Sequence, residues 1–235
     1  MNFAELGIDP RLIQALSEKG YETPTPIQAK AIPTILDGHD LLAAAQTGTG
    51  KTAAFTLPIL HQLLNGKPSS SKGPQVLIVV PTRELAAQVS ESIKSYGAKT
   101  SIRQAVLFGG VGAKPQIDAL RNHPEIVVAT PGRLLDLQSQ GELRLGNIEM
   151  LVLDEADRML DMGFIRDIRK IITLVPKTRQ NLLFSATFSK DIRELASGLL
   201  KNPKSIEVAP RNAPAERVEQ QAYILHKDQK RSLLI

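Results

Sequence analysis

No cysteine occurs among the 235 residues, which excludes disulfides and thiolate-bound metal. Histidine is nearly as scarce: the four present, His39, His61, His123 and His226, fall at no metal-ligand spacing. Aromatic residues make up only 4% and tryptophan is absent, so little is available for a surface that stacks bases one by one. No apolar run approaches the roughly 20 residues needed to span a bilayer. The first residues, MNFAELGIDP, lack the basic flank and apolar stretch of a secretory leader. These absences point to a soluble, cytoplasmic protein with no membrane partner.

Hydrophobic residues, at 42%, suffice for a sizeable core, and charged residues, at 23%, are ordinary for a globular protein. The net charge of +5 suits a polyanionic partner and equally suits a solvated basic face. Apolar runs predict strands at Leu41–Ala45, Gln75–Val80, Arg103–Phe108, Ile126–Ala129, Met150–Leu153 and Asn181–Phe184, with a weaker one at Ser205–Val208. Between them, amphipathic stretches predict helices at Lys51–Leu64, Thr82–Tyr96, Lys114–Arg121, Gly132–Gln140, Phe164–Leu174 and Lys190–Leu200. Strands with little polar alternation, separated by helices, predict an α/β doubly wound fold: a parallel sheet with helices on both faces. Residues 67–74 (KPSSSKGP) read as a surface loop.

The end of the chain has a different pattern. Residues 209–216 (APRNAPAE) form a Pro/Ala break, Arg217–Leu225 reads as an extended segment, and Lys227–Ile235 opens an amphipathic helix with no stop signal. The expectation is a domain over 1–208 and, over 209–235, a linker into a further domain; a frayed natural terminus is the alternative.

The strongest chemical signal is AQTGTGKT, comprising Ala45, Gln46, Thr47, Gly48, Thr49, Gly50, Lys51 and Thr52, between a predicted strand and a predicted helix. A phosphate-binding loop of the Walker A type needs glycines so that backbone N–H groups can wrap the phosphate. It also needs a lysine to reach the β- and γ-phosphates and a hydroxyl for Mg²⁺. Gly48, Gly50, Lys51 and Thr52 meet these needs, although Ala45 stands where the strict pattern has glycine. Such a site also requires a carboxylate at the end of a second apolar strand. Asp154 occupies that place, with Glu155 next to it, suited respectively to organising metal and polarising the attacking water. In isolation the acidic pair would read as a helix start complementing the helix dipole.

Other predicted strand ends carry Pro81-Thr82-Arg83, Gly109-Gly110, Thr130-Pro131-Gly132-Arg133 and Ser185-Ala186-Thr187. Each taken alone has a plain reading as helix capping or turn chemistry. Together, helix N-termini and two arginines form a track for a phosphodiester backbone, poor in aromatics and so suited to backbone rather than base contacts. The segment GYETPTPIQ similarly contains a capping box, with Thr25 as N-cap, Pro26 next and Gln28 three residues on.

In order along the chain, GYETPTPIQ, AQTGTGKT, PTRELA, GG, TPGR, Asp154-Glu155-Ala156-Asp157 and Ser185-Ala186-Thr187 resemble the motifs of the DEAD-box RNA helicases, from Q motif to motif III, over roughly Phe3 to Val208. In detail the sequence is similar to the bacterial RhlE-type branch. The resemblance implies the N-terminal RecA-like P-loop NTPase domain of an ATP-dependent RNA helicase, a hydrolase using ATP and Mg²⁺. By that resemblance, Gln28 would bond the adenine edge, with Phe3 stacking on the ring and Tyr21 and Thr23 shaping the pocket; residues 45–52 would hold the phosphates. Thr52 and Asp154 would hold Mg²⁺, partly through water, and Glu155 would activate water beside Lys51. Asp157, Ser185 and Thr187 would couple the nucleotide to RNA. Pro81, Thr82, Arg83, Gly110, Thr130, Gly132 and Arg133 would line the RNA path, independent of base sequence.

Nothing resembling the second-domain motifs of that family occurs, in particular the arginine fingers that reach the γ-phosphate. The chain alone is therefore expected to bind nucleotide weakly and scarcely to hydrolyse it. A nucleotide-dependent RNA clamp without appreciable unwinding is the competing reading. A switch GTPase is disfavoured because no NKxD-type segment appears, and a DNA helicase because the Q motif and the DEAD tetrad are intact.

Overall fold

A computed structural model of the chain describes residues 2–66 and 73–208. Most of the predicted loop over 67–74 and all of the linker, extended segment and helix predicted over 209–235 lie outside those residues.

Within them, a short 3₁₀ turn at Ala4–Leu6 leads into helices α1 (Pro10–Ser17) and α2 (Pro26–Leu36). Strands and helices then alternate: β1 (Leu41–Ala44), α3 (Lys51–Asn65), β2 (Val76–Val79), α4 (Arg83–Tyr96), β3 (Gln104–Leu107), α5 (Lys114–Arg121), β4 (Ile126–Ala129) and α6 (Pro131–Ser139). The series ends with β5 (Met150–Leu153), α7 (Ala156–Asp161), α8 (Ile165–Leu174), β6 (Gln180–Ser185), α9 (Lys190–Leu199) and β7 (Lys204–Glu207). Every strand expected from the sequence is present, within a residue or so at each end. The helices at Pro10–Ser17 and Ala156–Asp161 were not predicted, and of Pro26–Leu36 only the capping box at its start was read from the sequence.

All strand pairs are parallel, in the order β3-β4-β2-β5-β6-β1-β7. Alternate residues of each central strand feed opposite faces. Val76, Ile78, Ile126, Val128, Met150 and Val152 join one apolar cluster, while Leu77, Val79, Val127, Ala129, Leu151 and Leu153 join the other. A strand buried on both faces has no polar side to show, which is why these runs carry no polar alternation. The edge strand β7 buries only Ile206 of its residues, which explains its weaker signal.

The order places β1, β6 and β5 side by side, so the loops leaving their carboxyl ends share one rim of the sheet. Open α/β sheets bind ligands outside those ends. Among the described residues no helix is long and apolar enough to cross a membrane.

Candidate functional site

The loop from β1 to α3 is shaped by Gly48 and Gly50, both in left-handed backbone at φ +79° and +93°. Gly50 is constrained twice, because a Cβ there would lie 2.4 Å from Gln28 Nε2. That contact belongs to a latch across 22 residues: Gln28 Nε2 donates to the Gly50 carbonyl at 3.1 Å, and Gln28 Oε1 accepts from the Thr25 N–H at 2.9 Å. Gln28 is buried, and its carboxamide thus ties the start of α2 to the loop between β1 and α3. Within the loop, the Thr49 hydroxyl donates to the Gln46 carbonyl at 2.7 Å. The Ala45 N–H donates to the Ser185 carbonyl, fixing the loop's first residue to β6.

Lys51 opens α3 and is only 7% exposed; its Nζ has no hydrogen-bond partner among the described residues. Its ammonium acts electrostatically on Asp154, which directly follows β5 and is 2% exposed. Burial pushes the Asp154 carboxyl up from 3.8 to about 6; Lys51 pulls the other way, and the charge on Glu155 adds to the upward push. A buried, unpaired ammonium beside a buried carboxylate suits a polyanion accompanied by a divalent cation.

This raised value has a measurable consequence in the absence of nucleotide and metal. A carboxyl raised in the folded state contributes stability below its unfolded value of 3.8 that is lost as pH rises through about 6. The full span is about 3 kcal/mol, of which roughly 1 kcal/mol returns between pH 7 and pH 5. Unfolding melts at those pH values are expected to show the wild type gaining about 1 kcal/mol on Asp154→Asn as pH falls. Parallel pH profiles for the two proteins would contradict this placement of the charge.

Glu155 follows in left-handed backbone (φ 52°, ψ 50°), a conformation that costs a non-glycine residue about 1–2 kcal/mol. Its N–H donates to Asp154 Oδ1 at 3.0 Å, and its carboxylate meets Arg158 Nη1 at 3.3 Å. Asp157 Oδ2 accepts from the Ala186 N–H at 3.0 Å, joining the acidic turn to the segment after β6. Ser185 proves to be the last residue of β6, fully buried, rather than part of the loop that follows. Its hydroxyl accepts from the Thr187 N–H at 3.3 Å. The residues predicted to couple the sites are therefore one hydrogen-bonded unit.

The residues predicted around the adenine are less gathered. Phe3 is 4% exposed and belongs to the apolar cluster under α2, a position that offers little ring surface to a base. Tyr21 and Thr23 are exposed.

An open groove of about 560 Å³ collects Pro81, Thr82, Arg83, Thr130, Gly132 and Arg133 from the ends of β2 and β4. Gly109 lines it in place of the predicted Gly110. Thr82 does cap α4, accepting from the Leu85 N–H at 3.2 Å, so the plain reading of that threonine holds as well. The Arg83 guanidinium lies 5.7 Å from the centre of the Phe108 ring. Arg133 Nη2 donates to the Val111 carbonyl at 2.9 Å, and its Nε lies 3.5 Å from Asp136. Sequence reasoning missed Glu84, Asp136, Met162 and Phe164 on the groove wall. The one sequence signal for the last two is Gly163, a helix-stop residue directly after Met162.

Residues 25–195 match the DEAD/DEAH box helicase family. The "ATP-dependent RNA helicase DeaD" of Buchnera aphidicola subsp. Acyrthosiphon pisum is 49% identical over 207 residues, covering 88% of this chain and 34% of that protein. The "DEAD-box ATP-dependent RNA helicase CshA" of Geobacillus kaustophilus is 44% identical over 232 residues, covering 99% of this chain and 49% of that protein. The chain thus spans about a third to a half of the length of these curated relatives. The crystal structure of a DEAD box protein from the hyperthermophile Methanococcus jannaschii superposes with a TM-score of 0.82 at 41% identity, covering 88% of this chain and 56% of that one. The fold agrees with the family match, and the chain belongs to the DEAD/DEAH box helicase family.

Proposed function

We propose that this chain is the ATP-binding RecA-like domain of an ATP-dependent RNA helicase that remodels or unwinds short RNA duplexes at the expense of ATP. The observation that carries the reading is the Lys51 ammonium, buried without a partner next to buried Asp154 at the mouth of a glycine-shaped loop. Residues 45–52 wrap the phosphates, and Lys51 reaches the β- and γ-phosphates. Among the described residues no group of three or more His, Cys, Asp or Glu side chains could cage a metal. This suits Mg²⁺, which is commonly held by one or two carboxylates together with substrate phosphates. Asp154 and the Thr52 hydroxyl would hold that ion, which supplies charge neutralisation on the phosphates. Glu155 then orients and polarises the attacking water.

Gln28, already bonded to Gly50, reports adenine to the phosphate loop, with Tyr21 and Thr23 as the remaining adenine contacts and Phe3 packed in the core beneath α2. The Asp157–Ala186 bond carries nucleotide state towards the groove at Thr82, Arg83, Thr130 and Arg133, which takes one RNA strand by its backbone. Gly110 supports that groove from beside Gly109. Residues 209–235 lead to a second RecA-like domain that supplies the arginines for hydrolysis, and the compartment is the cytoplasm. Titration of the chain with ATP and Mg²⁺, with and without single-stranded RNA, tests the reading. Saturable binding of both ligands is expected, and failure to bind nucleotide at millimolar concentration would overturn it.

A further inference from the structure

Met162 is 49% exposed, one of few large apolar side chains so placed among the described residues, and it lines the groove that carries Arg83 and Arg133. Another exposed apolar residue, Val111 at 43%, accepts a hydrogen bond from the groove residue Arg133 through its carbonyl. An isolated exposed methionine needs no explanation, but its setting here is unusual.

The turn that presents Met162 is closed by two backbone hydrogen bonds. The Phe164 N–H donates to the Met159 carbonyl at 3.0 Å, and the Gly163 N–H to the Leu160 carbonyl at 2.9 Å. With Gly163 left-handed at φ +83°, this pairing is a Schellman motif closing α7. Met159 is fully buried and Phe164 packs against the same apolar cluster. Met159 therefore points into the core and Phe164 lies half-buried between core and groove, while the motif holds Met162 out at the groove. A frayed helix end would have no such fixed direction.

We propose that Met162 packs against the face of a nucleobase of the bound RNA strand, adding an apolar contact to the backbone grip of Arg83 and Arg133. The inference rests on the RNA reading of this groove. RNA is favoured over a protein partner because the same wall carries those arginines and the N-terminal turns of α4 and α6, the elements that hold phosphate. Glu84 and Asp136 also line the groove, each near one of the arginines, so net attraction is modest and an uncharged contact matters more. Thioether sulfur is polarizable and makes favourable contacts with aromatic rings.

The two kinds of contact separate by salt. Phosphate contacts steepen the fall of affinity with ionic strength, whereas an apolar contact leaves that slope unchanged. Affinity of the chain with ATP and Mg²⁺ for a single-stranded RNA should be measured across salt concentrations for wild type, Met162→Leu, Met162→Gln and Arg83→Ala. Wild type and Met162→Leu are expected to bind alike. Met162→Gln, of similar length but polar, is expected to bind roughly 3- to 10-fold more weakly at every salt concentration, a loss at the lower end of that for an aromatic stacking partner. Arg83→Ala is expected to reduce the slope by about one. If wild type does not bind RNA, the reading of the groove fails. If wild type binds but Met162→Gln binds equally well, or changes the slope, the base contact is overturned and the methionine faces a protein partner instead.

Discussion

Replacing Lys51 with alanine is expected to weaken ATP binding by about a hundredfold or more, the largest single loss available at this site. Lys51 is 7% exposed and its Nζ has no hydrogen-bond partner among the described residues, so its desolvation is offset only by Asp154 until a phosphate arrives. Charge-assisted bonds to phosphate in such a setting contribute about 3 kcal/mol together, a factor of roughly 100 in Kd. The variant should still fold, because the ammonium satisfies no neighbour's hydrogen bond in the free protein. Its loss also removes the one cation opposing the raised Asp154 carboxyl, which should rise further and make Mg²⁺-dependent binding fail at higher pH than in wild type. Calorimetric titration of the folded variant decides the matter; an unchanged Kd would sink the phosphate-loop assignment.

Glu155→Gln is expected to leave nucleotide affinity within a few-fold while hydrolysis falls by about 10² to 10⁴, the range for loss of a positioned general base. The measurement requires a protein joining this chain to the second RecA-like domain proposed above, because turnover needs the arginines assigned there. Glutamine keeps the shape and can still hydrogen-bond Arg158, so little stability is at stake: the bridge to that 58%-exposed arginine contributes at most about 1 kcal/mol. Retained binding with lost turnover should trap ATP and RNA together. Undiminished turnover would move water activation to another residue.

Much of this architecture was legible from local pattern. Strands buried on both faces read as unbroken apolar runs, so β2, β4 and β5 were found within a residue or so. Left-handed positions in the phosphate loop need glycine, and the residues at 48 and 50 are glycine. Capping chemistry placed the start of α4 at Thr82. What escaped was short or set by distant partners. The helix at Ala156–Asp161 is under two turns long, too short for a 3.6-residue period to register. Ser185 extends β6 because its carbonyl receives the Ala45 N–H and its neighbours pair with β1, contacts from about 140 residues away in sequence.

The groove followed the same division. The sequence suggested Thr82, Arg83, Thr130 and Arg133 as strand-end residues, but only strand order could show that the ends of β2 and β4 adjoin. Met162 was invisible as a groove residue, since its exposure arises from a Schellman turn that buries Met159 and turns Met162 outward.

By itself, the sequence determined the residue types: a lysine and a threonine after a glycine loop, paired acids after an apolar strand, and threonines and arginines at helix starts. Local backbone preference and hydrophobic period are properties of neighbours in the chain, and these were readable. Tertiary structure decided which of those residues meet. It buried Lys51 beside Asp154, bound Gln28 to Gly50, joined Asp157 to Ala186 and withdrew Phe3 into the core. The physical reason is that charge pairing, desolvation and hydrogen bonding depend on distance in space, and the parallel order β5-β6-β1 sets those distances.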